Sequence, residues 1–227
     1  MNEGILLVDK PQTWTSHDVV AKLRGVLRTK RIGHAGTLDP LATGVLVVMV
    51  GRATKQAQFL EANDKSYTAG IQLGITSNTY DITGELSEPQ AVHVTREQLE
   101  AALADFRGEI SQIPPIFSAI KVAGKPLYKY ARKGEEVELK PRTITIHRLE
   151  LKEFDGTNAI LEIDCSKGTY IRSLAHDIGA KLGCGGLMSS LIRTRSGIYS
   201  LADCHSLEEI IFDSVKNGSC TFLLNSI

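Results

Sequence analysis

Residues 33–44, Gly-His-Ala-Gly-Thr-Leu-Asp-Pro-Leu-Ala-Thr-Gly, place three glycines, one histidine and one carboxylate between two apolar runs. Glycine accepts positive φ and lets a backbone approach a neighbour closely. The stretch therefore reads as a constrained loop, and a constrained loop carrying an acid is a place where chemistry can sit. Two plainer readings compete with that one. Asp39-Pro40 fits a helix N-cap with proline at the first helical position, or a simple turn. Directly after the loop, Val45 to Val50 is a continuous apolar run of the kind that forms a buried strand.

The flanking chain alternates between short strands and short helices. Ile5 to Val8 reads as a strand. Ser16 offers an N-cap, and Val19, Val20, Leu23, Val26 and Leu27 form a helical stripe behind it. Residues 53–62 look helical, and a strand runs from Tyr67 to about Ile75. Thr76 to Pro89 is polar and reads as a loop. Thr95-Arg96-Glu97-Gln98 is a capping box that opens a helix with Leu99, Ala102, Leu103 and Phe106 on one face. Residues 116–122 suggest a strand and 126–133 a short helix. Ile144 and Ile146 alternate, but Leu149 and Leu151 are out of phase with them, which predicts a bulge near His147. Leu161, Ile163 and Cys165 mark a half-buried strand, and Ile171, Leu174, Ile178 and Leu182 a further helix. Ser206-Leu207-Glu208-Glu209 is a second capping box.

This interleaving carries no regular βαβ repeat. Gly183-Cys184-Gly185-Gly186 is not a dinucleotide fingerprint, and no phosphate-binding P-loop is present. The pattern favours an α+β fold with a mixed or mainly antiparallel sheet and flanking helices.

The 227 residues suffice for one large domain without staples. The cysteines, Cys165, Cys184, Cys204 and Cys220, are spaced 19, 20 and 16 residues apart. That spacing matches no zinc pairing and no dense disulfide framework, so they read as buried thiols in a reducing compartment. The first apolar run is too short for a signal peptide or a membrane span, which points to a cytoplasmic protein. Net charge is zero, but it is unevenly spread: +4 over residues 1–56, −6 over 57–113 and +2 over 114–227. Basic ends can still present a positive face to phosphates. The dense clusters are Arg24, Arg28, Lys30 and Arg31, then Lys121, Lys125, Lys129, Arg132 and Lys133. Each charge taken singly reads as part of a solvated helix face.

Five segments in order resemble one known family. They are Lys10-Pro11 with Thr15-Ser16-His17-Asp18-Val19-Val20; residues 33–44; Lys65-Ser66-Tyr67; Ser118-Ala119-Ile120-Lys121 with Leu127-Tyr128-Lys129-Tyr130-Ala131-Arg132; and Cys165-Ser166-Lys167-Gly168-Thr169-Tyr170-Ile171-Arg172. Together they are similar to the bacterial tRNA pseudouridine-55 synthase (TruB-like) family over roughly residues 4 to 200. The resemblance implies the pseudouridine synthase fold, an α+β sheet with a central cleft. It implies an isomerase that converts uridine to pseudouridine in the T-arm loop of tRNA, with no metal and no cofactor. By the same match Asp39 is the catalytic aspartate, Arg172 the cation that pairs with it, and Tyr67 the ring that stacks on the uracil. Tyr170 and Leu191 line the uracil pocket, and His34 contacts the flipped nucleotide. Read without the family, Arg172 is a surface arginine at a helix start, Tyr67 a core tyrosine and His34 an ordinary loop histidine. A cation near a helix N-terminus opposes the helix dipole, so a buried carboxylate partner would rationalise Arg172.

Two departures stand out. Thr13 occupies the position where the family's K-P-x-G-x-T-S has glycine. Threonine is strained at positive φ, so this segment is expected to follow a different path. Family members commonly continue into a small RNA-binding PUA domain, whereas this chain ends at Ile227. The expected organisation is a catalytic domain over 1–216 and a short tail over 217–227 without that domain. A monomer acting on tRNA without a protein partner is the leading expectation. The rivals are pseudouridylation of another RNA hairpin, and a non-catalytic tRNA-binding or folding module.

Overall fold

The computed structural model describes residues 3–224. The chain divides into two compact units, Met1–Thr68 with Leu191–Ile227, and Ala69–Ser190.

The first unit opens with strand β1 (Gly4–Lys10) and helix α1 (Ser16–Val26). The N-cap of α1 is Thr15, not Ser16, and Thr15 with Asp18 forms a reciprocal capping box. Ser16 is the first helical residue, and its side chain is free to turn inward. Strands β2 (Ile32–Ala35) and β3 (Thr43–Val50) follow. Residues 33–35 of the expected loop are thus strand. A 3-10 turn over Gly51–Gln56 leads to helix α2 (Ala57–Glu61) and strand β4 (Lys65–Leu73), which passes into the second unit. Strand β1 pairs antiparallel with β3 along its whole length, from Gly4 opposite Val50 to Lys10 opposite Gly44, and β2 pairs antiparallel with β3. Ile5, Leu7, Ala35, Val45, Val47, Met49, Leu60 and Tyr199 form one apolar cluster here.

The second unit contains helix α3 (Arg96–Ala104), capped by the expected Thr95–Gln98 box. Strand β5 (Gly108–Gln112) follows, and sequence patterning missed it. Only the end of the expected 116–122 strand forms, as the two-residue strand β6 (Lys121–Val122) paired with β7 (Lys125–Pro126). Helix α4 (Leu127–Ala131) is a single short turn. Strands β8 (Arg142–Phe154) and β9 (Asn158–Cys165) pair antiparallel, and the register slips between Ile146 and Arg148. That slip is the bulge expected at His147, and it returns Leu149 to the buried face. Helix α5 (Ile171–Lys181) carries the Ile171, Leu174, Ile178 stripe inward. Strand β10 (Gly186–Ser196), also missed in the sequence, carries the chain back into the first unit.

There β10 pairs parallel with β3, Ile192 opposite Thr43 and Arg193 opposite Gly44. The short strand β11 (Tyr199–Ser200) folds back on β10, and β12 (His205–Ser206) pairs parallel with β1. Helix α6 (Leu207–Asn217) begins at the Ser206–Glu209 capping box and ends at Gly218 in the left-handed conformation. Of the expected tail, Thr221 donates its N–H to Asp213 Oδ2 at 2.7 Å, and Leu224 bridges Ile5. Residues 225–227 lie outside the described residues. Parallel and antiparallel pairs coexist, with the antiparallel ones dominant, so the α+β expectation holds. Among the described residues no helix is long and apolar enough to cross a membrane.

Candidate active site

Asp39 sits at the first position of a β-turn. The Ala42 N–H donates to the Asp39 carbonyl at 3.1 Å, and Pro40 occupies the next corner, where its fixed φ is pre-set for a turn. The N-cap reading of Asp39-Pro40 is therefore set aside in favour of the turn.

Four groups hold this turn from four directions. The Ser16 hydroxyl accepts from the Leu38 N–H at 2.8 Å and donates to the Leu38 carbonyl at 3.1 Å. Thr13 donates its N–H to the Pro40 carbonyl at 2.8 Å. Asp9 Oδ1 accepts from the Gly44 N–H at 3.1 Å. Arg193, fully buried, donates from Nε to the Val45 carbonyl at 2.7 Å and from Nη2 to the Gly36 carbonyl at 3.0 Å. One guanidinium fork thus ties both ends of the loop.

The same arginine explains two of the glycines. Gly44 has φ 94, and a Cβ there would run into the Arg193 backbone carbonyl. Gly36 has φ 74, and a Cβ would stand 3.3 Å from Arg193 Nη1. A side chain at Gly36 would push the guanidinium away from the loop, and one at Gly44 would push the Arg193 backbone away from β3.

Thr13 reaches its bond to Pro40 at φ 72. That is the left-handed conformation that suits glycine, here with a β-branched residue in it.

Lys10 is buried beside this loop and donates its Nζ to the carbonyls of Pro11 at 2.8 Å and Trp14 at 2.6 Å. Burial pushes it down to about 8; the Asp39 carboxylate opposes that shift and the Arg193 charge adds to it. Lys10 thus lies within electrostatic reach of Asp39, and Arg193 places a second positive charge near the same lysine.

The other first-unit candidates are placed by strands. His34 lies on β2 opposite Val48, and its Nδ1 is buried with no hydrogen-bond partner. Burial lowers its pKa first, and the charges of Arg193 and His17 lower it further. Tyr67 is buried on β4. Its neighbour Lys65 donates to the Glu61 carbonyl at 2.7 Å and to the Asn63 carbonyl, which fixes the start of the strand. Leu191 is buried on β10 and shares a face with Arg193 two residues on.

Tyr170 and Arg172 belong to the second unit. Tyr170 is the N-cap residue of α5, with no side-chain cap. The buried Gln112 amide replaces one: its Oε1 accepts from the Tyr170 N–H at 2.8 Å and its Nε2 donates to the Tyr170 carbonyl at 3.1 Å. Arg172 is almost wholly buried, so the surface-arginine reading is excluded. Its Nη1 donates to the Thr79 carbonyl and its Nη2 to the Phe117 carbonyl, both at 3.0 Å. Asp81 Oδ2 stands 3.8 Å from its Nε, and Asp81 is buried too. This buried carboxylate offsets the unfavourable dipole at the helix start.

Sequence reasoning did not single out Arg193, Asp81 or Gln112. Lys10 and Ser16 lie inside a recognised motif, which was their signal. Arg193 sits in a strand whose pattern is obscured by polar residues, and Asp81 sits in a segment read only as loop. The basic clusters are partly engaged within the fold. Arg24 Nη2 donates to the Ile32 carbonyl and Arg31 Nε to Thr54 Oγ1, while Lys22, Arg28 and Lys30 are exposed. In the other cluster Lys125 pairs with Glu135 at 2.7 Å and lies over the Tyr130 ring.

A carboxylate on a turn held by four groups, with the buried Lys10 ammonium within electrostatic reach, is suited to acid–base or nucleophilic work. Comparison with known proteins decides which chemistry. The family model described as TruB family pseudouridylate synthase (N terminal domain) matches residues 24–171, and that of the tRNA pseudouridylate synthase B C-terminal domain matches 172–217. The chain belongs to the TruB family of pseudouridylate synthases. Among its curated relatives is the tRNA pseudouridine synthase B of Pseudomonas fluorescens, 53% identical over 95% of this chain and 71% of the relative. That of Bacillus anthracis is 51% identical over 99% of this chain and 76% of the relative. Among solved structures, a chain of a Cbf5–Nop10–Gar1 complex is 31% identical, with a TM-score of 0.75. The match covers 96% of this chain and 57% of that one, so this TruB-family chain spans little more than half of the solved chain. The pseudouridine synthase fold read from the motifs is thereby established.

Proposed function

We propose that this chain converts uridine 55 in the T-arm loop of tRNA into pseudouridine. One observation supports the reading above the others. The family match runs without a gap from residue 24 to residue 217, across the turn that carries Asp39 and the helix start that carries Arg172. The curated relatives that share half of their residues with it bear the name tRNA pseudouridine synthase B.

The reaction breaks the N-glycosidic bond, rotates the uracil and joins its C5 to the sugar, and the C5 proton leaves. Asp39 is assigned as the catalytic carboxylate, Arg172 as the cation that supports its charge, and Tyr67 as the ring that stacks on the uracil and takes the C5 proton. His34, Tyr170 and Leu191 are assigned to binding the target nucleotide. The reacting atoms are sheltered in a stacked loop, so the uridine must flip out. A hairpin loop opens at lower cost than a duplex. The chain is assigned as a cytoplasmic monomer that needs neither cofactor nor protein partner, with residues 1–216 as catalytic domain and 217–227 as tail.

The test is tritium release from tRNA transcripts labelled at C5 of uridine. A transcript with uridine at position 55 is expected to release one equivalent, and one with cytidine there none. Release from both would move the target to another uridine. Release from neither would leave a binding module.

A further inference from the structure

Tyr80 has φ 62. A bulky residue in the left-handed region is an outlier that persists only where its surroundings enforce it, and such strain gathers at functional sites. Its ring stacks on the imidazole of His176, centroid to centroid 4.0 Å and 14° from parallel. His176 lies on α5 one turn after Arg172, on the same face of the helix. The residues on either side of Tyr80 are the ones that hold Arg172: Thr79 through its carbonyl, Asp81 through its carboxylate. The Tyr80 backbone is fixed as well. Its N–H donates to the Ser77 carbonyl at 3.2 Å, and its carbonyl accepts from the Met188 N–H at 3.0 Å. Asp81 is in turn held by Thr79 Oγ1 and the Thr83 N–H, each at 2.9 Å.

We propose that Tyr80 and His176 are positioning residues: their stack pins the Thr79–Asp81 backbone to the face of α5 that bears Arg172, and so fixes the arginine's orientation for catalysis. The proposal rests on the assignment of Arg172 to the reaction. The left-handed turn is what brings a carbonyl and a carboxylate, two residues apart, onto one guanidinium. Without the stacked ring the turn keeps its hydrogen bonds but loses its lateral anchor on the helix. Loss of the anchor misplaces the charge rather than removing it, which lowers turnover more than binding.

The test compares Tyr80→Gly, Tyr80→Phe, His176→Ala and His176→Phe in steady-state kinetics, with unfolding midpoints for each. Glycine adopts the left-handed conformation without strain, so Tyr80→Gly removes the ring while sparing the backbone. The expected result is a fall in kcat of about tenfold in Tyr80→Gly and in His176→Ala, with KM within about twofold. The double variant is expected to be no worse than either single one, because both remove the same contact. The phenylalanine variants, which keep a stacking face, are expected to restore kcat. The Arg172 Nε–H proton, followed by NMR, is expected to exchange faster in both ring-deleted variants. Wild-type kcat in folded Tyr80→Gly overturns the proposal. So does a change confined to KM, which would make the ring an RNA contact. Arg172→Ala is measured beside them: retained turnover there would remove the arginine from the reaction, whereas abolished turnover with normal Tyr80→Gly would defeat only the stack.

Discussion

Thr13 donates its N–H to the carbonyl of Pro40, the residue after Asp39, and does so from a left-handed conformation that threonine disfavours. The bond fastens the segment after β1 to the turn that carries Asp39, and the strain is its cost. A left-handed L-residue loses about 1–2 kcal/mol. Glycine would remove that strain but return about 0.5–1 kcal/mol through the entropy of the unfolded chain. Thr13→Gly is thus expected to raise stability by about 0.5–1 kcal/mol with turnover unchanged. Urea unfolding checks it, and a lower midpoint would show that the threonine side chain stabilises this turn by contacts of its own.

Ser16→Ala removes both bonds to Leu38 and leaves a buried N–H and carbonyl without them. Each such group costs about 1–3 kcal/mol. The expected loss is about 2–4 kcal/mol in the unfolding free energy, together with a fall in kcat, because the residue before Asp39 is no longer fixed. Unchanged stability and kcat would show that the turn is held by its other three attachments alone.

Arg193→Lys keeps the charge and loses the fork. An ammonium on a flexible stem cannot bond the Gly36 and Val45 carbonyls with the same fixed geometry. Stability is expected to fall by about 2–3 kcal/mol, within what losing a buried hydrogen bond to a charged group costs. Equal unfolding midpoints for the two proteins would rule out the fork as the tie between the loop's ends.

His34 gives the fold an acid sensitivity. Its folded pKa is lowered from 6.5, chiefly by burial. Below that value the unfolded chain takes up a proton that the folded chain resists. The stabilisation is therefore present above pH 6.5 and is lost progressively as pH falls below it, toward the lower folded value. His34→Gln is expected to flatten the fall in urea midpoint between about pH 7.5 and about pH 5.5. Parallel curves for the two proteins would assign the acid sensitivity to other groups.

Much of this was legible in the sequence wherever one local rule decided the outcome. The Thr95 and Ser206 capping boxes, the His147 bulge and the Val45–Val50 strand each follow from short-range patterns, and each formed. Ser16 shows where local rules fail. Its residue type suits an N-cap, but Thr15 with Asp18 makes the better reciprocal box, and Ser16 is left to bind a turn 22 residues away. Strand β10 was hidden because its buried positions include Arg193, a charge that only tertiary carbonyls can satisfy. Asp81 was hidden because its partner, Arg172, lies 91 residues further along the chain. The six site residues came from motif resemblance; spacing alone left Asp39 at a helix N-cap or in a turn, and the turn is what forms.

The most direct test of the account is tritium release from C5-labelled tRNA by Asp39→Asn, beside wild-type protein, at enzyme in excess over RNA. Asparagine preserves the size of the side chain and leaves the bonds to Leu38, Pro40, Gly36 and Val45 in place, so the variant is expected to fold. Binding to tRNA is expected to stay within about tenfold, because phosphate contacts dominate affinity. No tritium release is expected from the variant on a timescale where wild-type protein completes its single turnover. Measurable release by Asp39→Asn, with contaminating enzyme excluded, would contradict it.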